Sequence, residues 1–203
     1  MCKQYVLASA NPGKLREITA KLEPLGYSIR PQADWQVPQV RETGRTFLEN
    51  ALAKARQAVR YTQLPSIADD SGLVVPALNG EPGIFSARYC GEGAGDRANI
   101  HRLLKQLDGV TGKRRCAYFY CCMVLLSSED DPAPLLATAN WYGEILHSPR
   151  GENGFGYDPV FAVAGTQYSA AELSLDDKQC ISHRGQALDS LLTQIRERNG
   201  KCS

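Results

Sequence analysis

The run Cys116 to Leu126 is apolar at every position. It is too short for a membrane helix, which needs roughly 18 apolar residues. An unbroken apolar stretch of this length reads as a central strand covered on both faces, which demands a sheet with helices packed against it. An acidic, Pro-containing connection from Ser127 to Pro134 follows. Then Ala137 to Leu146 partly alternates, with Thr138, Asn140, Tyr142 and Glu144 on one side. That pattern reads as a partner strand with one wetter face.

Helical patterns surround this pair. Tyr5-Val6-Leu7-Ala8 is an apolar strand, and a helical stripe of Leu15, Ile18, Leu22 and Leu25 follows it after a short turn. Thr46-Phe47-Leu48-Glu49 has the form of a capping box. It starts a helix running to about Tyr61, with Leu48, Leu52, Ala55 and Val59 as its apolar stripe and Asn50, Lys54 and Gln57 on a polar face. Asp96 is expected to cap a helix striped by Ile100, Leu103, Leu104 and Leu107, and a last helix runs from about His183 to Asn199 with Leu188, Leu191, Leu192 and Ile195 inside. Ser66-Ile67-Ala68 and Leu73-Val74-Val75 read as a strand interrupted by an acidic turn at Asp69-Asp70-Ser71-Gly72. Pro82 to Tyr89 is loop-like, and Gly154 to Val163 mixes glycines, aromatics, an aspartate and a short strand. The class is α/β or α+β with a mixed central sheet flanked by helices. With 203 residues and no repeat or linker, the chain is expected to form a single domain with room for two lobes.

A net charge of +1 gives no electrostatic support for nucleic-acid or membrane-surface binding, so neither partner is expected. The N-terminal segment enters a strand at once and lacks a secretory layout, which makes a cytoplasmic address the default. The seven cysteines (2, 90, 116, 121, 122, 180 and 202) include no C-x-x-C pair, and His101, His147 and His183 show no ligand spacing. Any metal is therefore expected to be Mg²⁺ on carboxylates and substrate phosphates.

Three segments carry candidate chemistry. Ser9-Ala10-Asn11-Pro12-Gly13-Lys14 joins the first strand to the first helix. Turn amides, the helix dipole and the Lys14 charge all suit a phosphate there. It is not a Walker loop: Leu15 stands where the Mg²⁺-binding hydroxyl would be. The same segment also reads as an ordinary strand-to-helix turn. Asp69 and Asp70 would face opposite ways if the strand stays extended, so only one could reach a given site. Carboxylates beside a phosphate site imply a cation between them, with Glu42 a further candidate. Phe155, Gly156, Tyr157 and Asp158 suit stacking on a base and reading its edge, and also read as a glycine-rich turn with core aromatics. Ser182-His183-Arg184-Gly185 would expose donors at the start of the last helix, with Lys178 near Ser182 if that segment is helical; an N-cap and a solvated charge is the plainer alternative.

Taken together, SANPGK (9–14), ETG (42–44), TFLENALAKA (46–55), ADDSGL (68–73), PGIFSARY (82–89), GFGYDP (154–159) and SHRGQAL (182–188) resemble the inosine triphosphate pyrophosphatase family, in its order and spacing. The wording of ADDSGL and PGIFSARY is similar to the bacterial branch. Ala10 stands where many bacterial members carry glycine, which matters only if the turn needs φ > 0 there. The resemblance implies an elongated α/β fold of two lobes with a nucleotide cleft between them, a homodimer and a Mg²⁺ requirement. It implies hydrolysis of non-standard purine nucleoside triphosphates (ITP, dITP, XTP) to monophosphate and pyrophosphate. Ser9 to Lys14 and Lys54 would hold the triphosphate, and Glu42 and Asp70 would bind Mg²⁺. Asp70 would also act as general base. Ser71, Phe155 to Asp158, Lys178, His183 and Arg184 would complete the nucleotide pocket, with donors from His183 and Arg184 reading the carbonyl at C6. The competing readings are a triphosphatase for another modified nucleotide and a nucleotide sensor without chemistry.

Overall fold

The strand Lys3–Leu7 (β1) leads through the Ser9–Lys14 turn into the helix Pro12–Leu22 (α1) and back to Tyr27–Pro31 (β2), which pairs with β1 in parallel. The structure, a computed structural model, describes residues 3–200. Phe47–Thr62 (α2) then returns the chain to Ser66–Val74 (β3), the other parallel neighbour of β1. Asp96–Gln106 (α3), Cys116–Leu126 (β4), Leu135–Ile145 (β5), Phe161–Val163 (β6), Leu175–Ile181 (α4) and His183–Gly200 (α5) follow. The six strands form one sheet in the order β2-β1-β3-β4-β5-β6, mixed because β5 and β6 pair antiparallel.

Two compact units divide the chain. The first contains the chain up to Asp70, Cys121–Ala139 and the chain from Arg184; the second contains Ser71–Tyr120 and Asn140–His183. Each has its own core. In the first, Leu188, Leu191, Leu192 and Ile195 of α5 and Ile18 and Leu22 of α1 pack with Leu7, Ile67 and Met123. In the second, Leu73, Leu103 and Leu107 pack with Phe119, Trp141 and Phe161. Burying one such side chain is worth about 1.5–3 kcal/mol.

Several expectations change. β3 is continuous through Asp69-Asp70-Ser71-Gly72, with no turn. β4 is buried at every position only from Cys121 onward; its first half alternates. The stripe of α1 ends at Leu22, and Leu25, in a 3-10 turn, is exposed. The inward face of α2 is Asn50, Ala51, Ala55, Ala58 and Val59, while Leu48 is exposed. Asp96 does not cap α3: Gly95 holds the cap position, and the Asp96 carboxylate accepts instead from the Gly156 N–H at 2.7 Å. Pro82 to Tyr89 contains a 3-10 helix over Gly83–Arg88. The wetter face of β5, the capping box of α2 and the stripe of α5 are as read. Cys121 and Cys122 are buried, and burial pushes both thiols up, Cys122 to about 11. Cys2 and Cys202 lie outside the described residues.

Candidate functional site

The Ser9–Lys14 turn is held by its own side chains. Asn11 caps α1 in an extended conformation, its Oδ1 accepting from the N–H groups of Gly13 at 2.8 Å and Lys14 at 3.2 Å, while its own N–H donates to Ser9 Oγ at 3.2 Å. Pro12 occupies the first turn, where a missing N–H costs nothing. The Gly13 and Lys14 amides thus already have an acceptor, contrary to the expectation of open amides for a phosphate. What the turn presents is the positive end of α1, with no acidic residue in its first turn, and the Lys14 ammonium. Ala10 is not among the residues with positive φ, so the turn has no need of glycine there.

β3 sets two carboxylates side by side and sends them opposite ways. Asp69 is buried against Lys14 Nζ at 2.9 Å and Arg184 Nε at 3.3 Å, and Arg184 also pairs with Glu17 of α1. Glu17, Arg184, Asp69 and Lys14 form an alternating chain of charges. Burial works against the Asp69 charge, but Lys14, Arg184 and Lys54 outweigh it and hold the carboxyl well below the usual carboxylate range. The pairing with Asp69 and Glu17 holds the buried Arg184 charged.

Asp70 belongs to a second set. Its Oδ1 accepts from Lys54 Nζ at 2.9 Å and its Oδ2 from Asn50 Nδ2 at 3.1 Å, and the same Lys54 ammonium donates to Glu42 Oε1 at 2.9 Å. Burial raises the Asp70 carboxyl above its ordinary value; Lys54 and Lys14 only partly offset this, and Glu42 adds to it. Burial lowers Lys54, but Asp70, Asp69 and Glu42 hold its ammonium above the ordinary lysine range. Environment thus separates two identical neighbours, one held ionised and one poised to take a proton, the pattern of acid–base assignments in enzyme sites.

Glu42 and Asp70 already share one cation, the Lys54 ammonium. Their donor atoms are all carboxylate oxygens. Among the described residues no group of three His, Cys, Asp or Glu side chains could hold a metal. Two carboxylates are what Mg²⁺ ordinarily takes from a protein, the remainder coming from phosphate and water. The residues present therefore fit Mg²⁺.

The remaining candidates lie in the second unit. Asp158 Oδ2 accepts from Lys178 Nζ at 2.6 Å and from the Phe155 N–H at 2.9 Å, and the Lys178 ammonium sits 4.9 Å from the centre of the Phe155 ring. Gly154 has φ +76°, and a Cβ there would overlap Asp158 Oδ2. Phe155 and Gly156 are half-buried. Tyr157 is buried, and its hydroxyl donates to the Ser86 carbonyl at 2.9 Å, so it braces this segment from the core side. Ser71 is half-buried on β3 directly after Asp70.

Ser182, His183 and Arg184 are not exposed donors: each is less than 5% exposed. The His183 ring stacks on Phe119, 4.8 Å between centroids and 9° from parallel. Lys178 is helical, on α4, and its carbonyl accepts from the Ser182 N–H at 2.8 Å. Sequence reasoning missed Asn50 and Glu17 as members of these networks. Their only signal is spacing: Asn50 lies one helical turn before Lys54, and Glu17 three residues after Lys14.

A sequence model of the Ham1 family matches residues 5–194. A Coxiella burnetii protein named dITP/XTP pyrophosphatase is 48% identical over 194 residues, covering 96% of this chain and 97% of its own length. One of the same name from Methylococcus capsulatus is 51% identical over 200 residues, covering 98% and 100%. Among solved structures, a HAM1 protein from Coxiella burnetii matches with a TM-score of 0.88 at 48% identity over 96% of this chain and 99% of that one. The Staphylococcus aureus Ham1 protein matches at 0.84 with 39% identity over 97% and 100%.

Proposed function

This chain belongs to the Ham1 family, and on that premise we propose that it hydrolyses dITP and XTP to the nucleoside monophosphate and pyrophosphate, clearing deaminated purines from the nucleotide pool. The observation that carries the reading is the pair Asp69 and Asp70, given opposite proton affinities on one strand and each bonded to its own lysine.

A water oxygen attacks the α-phosphorus, and the bond from that phosphorus to the bridging oxygen breaks, its electron pair leaving with pyrophosphate. Asp70 orients the water and takes its proton, which a raised carboxyl does better than an ordinary one. Lys14 and Lys54 set positive charge beside the phosphates, with the N-terminal end of α1 behind Lys14. Ser9, Ala10, Asn11, Pro12 and Gly13 form the turn that carries this end. Glu42 and Asp70 would hold Mg²⁺, which when bound offsets phosphate charge and favours ionisation of a nearby water.

Base recognition falls to Phe155, as a stacking face, and to Lys178, as a donor kept in place by Asp158, with Ser71, Gly156, Tyr157 and His183 shaping that pocket. Arg184 serves through Asp69, as its counter-ion, rather than by reading the base. Hypoxanthine and xanthine present a carbonyl at C6 where adenine presents an amino group. A buried donor facing that amino group loses its hydrogen bond, at a cost of about 1–3 kcal/mol. A homodimer and a cytoplasmic location complete the proposal; no helix among the described residues is long and apolar enough to cross a membrane.

Initial rates of pyrophosphate release from dITP, XTP, dGTP and dATP, with Mg²⁺ and with a chelator, test the reading. The expected result is turnover of dITP and XTP at least about tenfold to a hundredfold above dATP, lost on chelation. Equal rates on all four nucleotides would refute the selectivity.

A further inference from the structure

Asn50 takes no part in the proposed reaction, yet it is 1% exposed and joins Asp70 to the backbone amide of Gly44, two residues after Glu42. Its Oδ1 accepts from the Gly44 N–H at 2.9 Å, and its Nδ2 donates to Asp70 Oδ2 at 3.1 Å. A backbone N–H can only donate and an ionised carboxylate can only accept, so this pair of neighbours permits one orientation of the amide. Reversing it would set donor against donor and acceptor against acceptor.

Gly44 is built for this contact. Its φ is not in the left-handed range, yet a Cβ there would lie 2.6 Å from Asn50 Oδ1 and 2.7 Å from the Glu49 Cβ. Glycine is needed for the approach, not for the backbone angle. The neighbouring Glu49 binds the next two amides, Arg45 N–H at 2.6 Å and Thr46 N–H at 3.0 Å. The segment that follows Glu42 is thereby fastened to the first turn of α2 at three successive amides.

We propose that Asn50 is a positioning residue that locks the rotation of the Asp70 carboxylate, with Gly44 dictating which end of the Asn50 amide faces it. Asp70 Oδ2 is held by Asn50, and Oδ1 is the oxygen presented to Lys54 and, in turnover, to the attacking water. The inference rests on the reading of Asp70 as the base.

Three variants separate positioning from simple loop anchoring. Asn50→Asp keeps the size and the acceptor for Gly44 but turns an oxygen toward Asp70. Asn50→Ala removes both bonds. Gly44→Ala disturbs the amide without altering Asn50. Each is measured for kcat and KM on dITP, alone and combined with Asp70→Asn, and for its melting temperature. Asn50→Asp and Gly44→Ala are expected to lower kcat by about tenfold to a hundredfold, the usual effect of losing a group that orients a site carboxylate. KM should change by only a few-fold, and the loss should disappear on the Asp70→Asn background. Asn50→Asp with wild-type kcat would overturn the proposal, as would a full additional loss on top of Asp70→Asn. A wild-type protein inactive on both dITP and XTP would refute the assigned reaction instead. The contact would then be judged from melting temperatures of Asn50→Ala, Asp70→Ala and the double variant: non-additive shifts support it, and additive shifts overturn it.

Discussion

Asp69 and Asp70 are the same side chain one residue apart, and strand geometry alone sends them to different partners. The difference is measurable in turnover and in stability. Replacing Asp70 by Asn preserves shape but removes the proposed base, so turnover should fall by roughly two to four orders of magnitude. Because the folded carboxyl is raised, its contribution to stability is full below the unfolded value near pH 4 and is lost as pH rises through the folded value. Asp70→Asn should therefore melt at or above the wild-type temperature at pH 7, with its advantage absent in acid. Asp69 has the opposite sign. Its carboxyl is depressed, so its stabilisation is present above about pH 4 and is lost as pH falls below that. Asp69→Asn leaves Arg184 and Lys14 without their shared carboxylate, and denaturant unfolding at pH 7 should show a loss of about 3–5 kcal/mol. The alternation of the two aspartates was legible in the sequence only on the condition that the strand runs through them, as it does. The link from Asp69 to Arg184, and from Arg184 to Glu17 167 positions away, was not legible, because only the folded chain brings α1, β3 and α5 together.

At the scale of elements, α2 shows how a polar pair can set the rotation of a helix. The stripe read for it was Leu48, Leu52, Ala55 and Val59, of which Ala55 and Val59 are buried and Leu48 is exposed. The side actually buried carries three alanines and Val59, with Asn50 inward toward Asp70. Small residues let the helix approach closely, and the polar pair Asn50 and Lys54 belongs to the inner side because buried carboxylates await it. β3 failed as a sequence reading for a related reason. Asp-Asp-Ser-Gly favours a turn locally, but it continues a strand already paired to β1 at Ser66 and Ile67, and the charges of Asp69 and Asp70 are compensated by Lys14 and Lys54. The capping box was read correctly because its chemistry is local. Thr46→Ala should cost about 1 kcal/mol in thermal or denaturant unfolding. Gly154→Ala forces an L side chain into a left-handed conformation and pushes Asp158 from Lys178. The expected outcome is a raised KM for XTP with kcat less affected; an unchanged KM would remove Lys178 from base recognition.

At the scale of the whole molecule, both cores could be anticipated from apolar periodicity, most clearly in α5 and β5. The strand order could not, since placing β3 between β1 and β4 depends on pairings distant in sequence. The candidate site segments stood out in the sequence as motifs, and in the first unit Lys54 bonds both Glu42 and Asp70. The exposure of residues 182–184 was misread because a buried ion pair and a solvated one have the same composition. The central step of the proposed reaction is attack of water on the α-phosphorus. XTP hydrolysed in ¹⁸O-labelled water, with products weighed by mass spectrometry, tests it most directly. The expected result is one ¹⁸O in the nucleoside monophosphate and none in pyrophosphate. Label in pyrophosphate, or release of labelled orthophosphate, would contradict it.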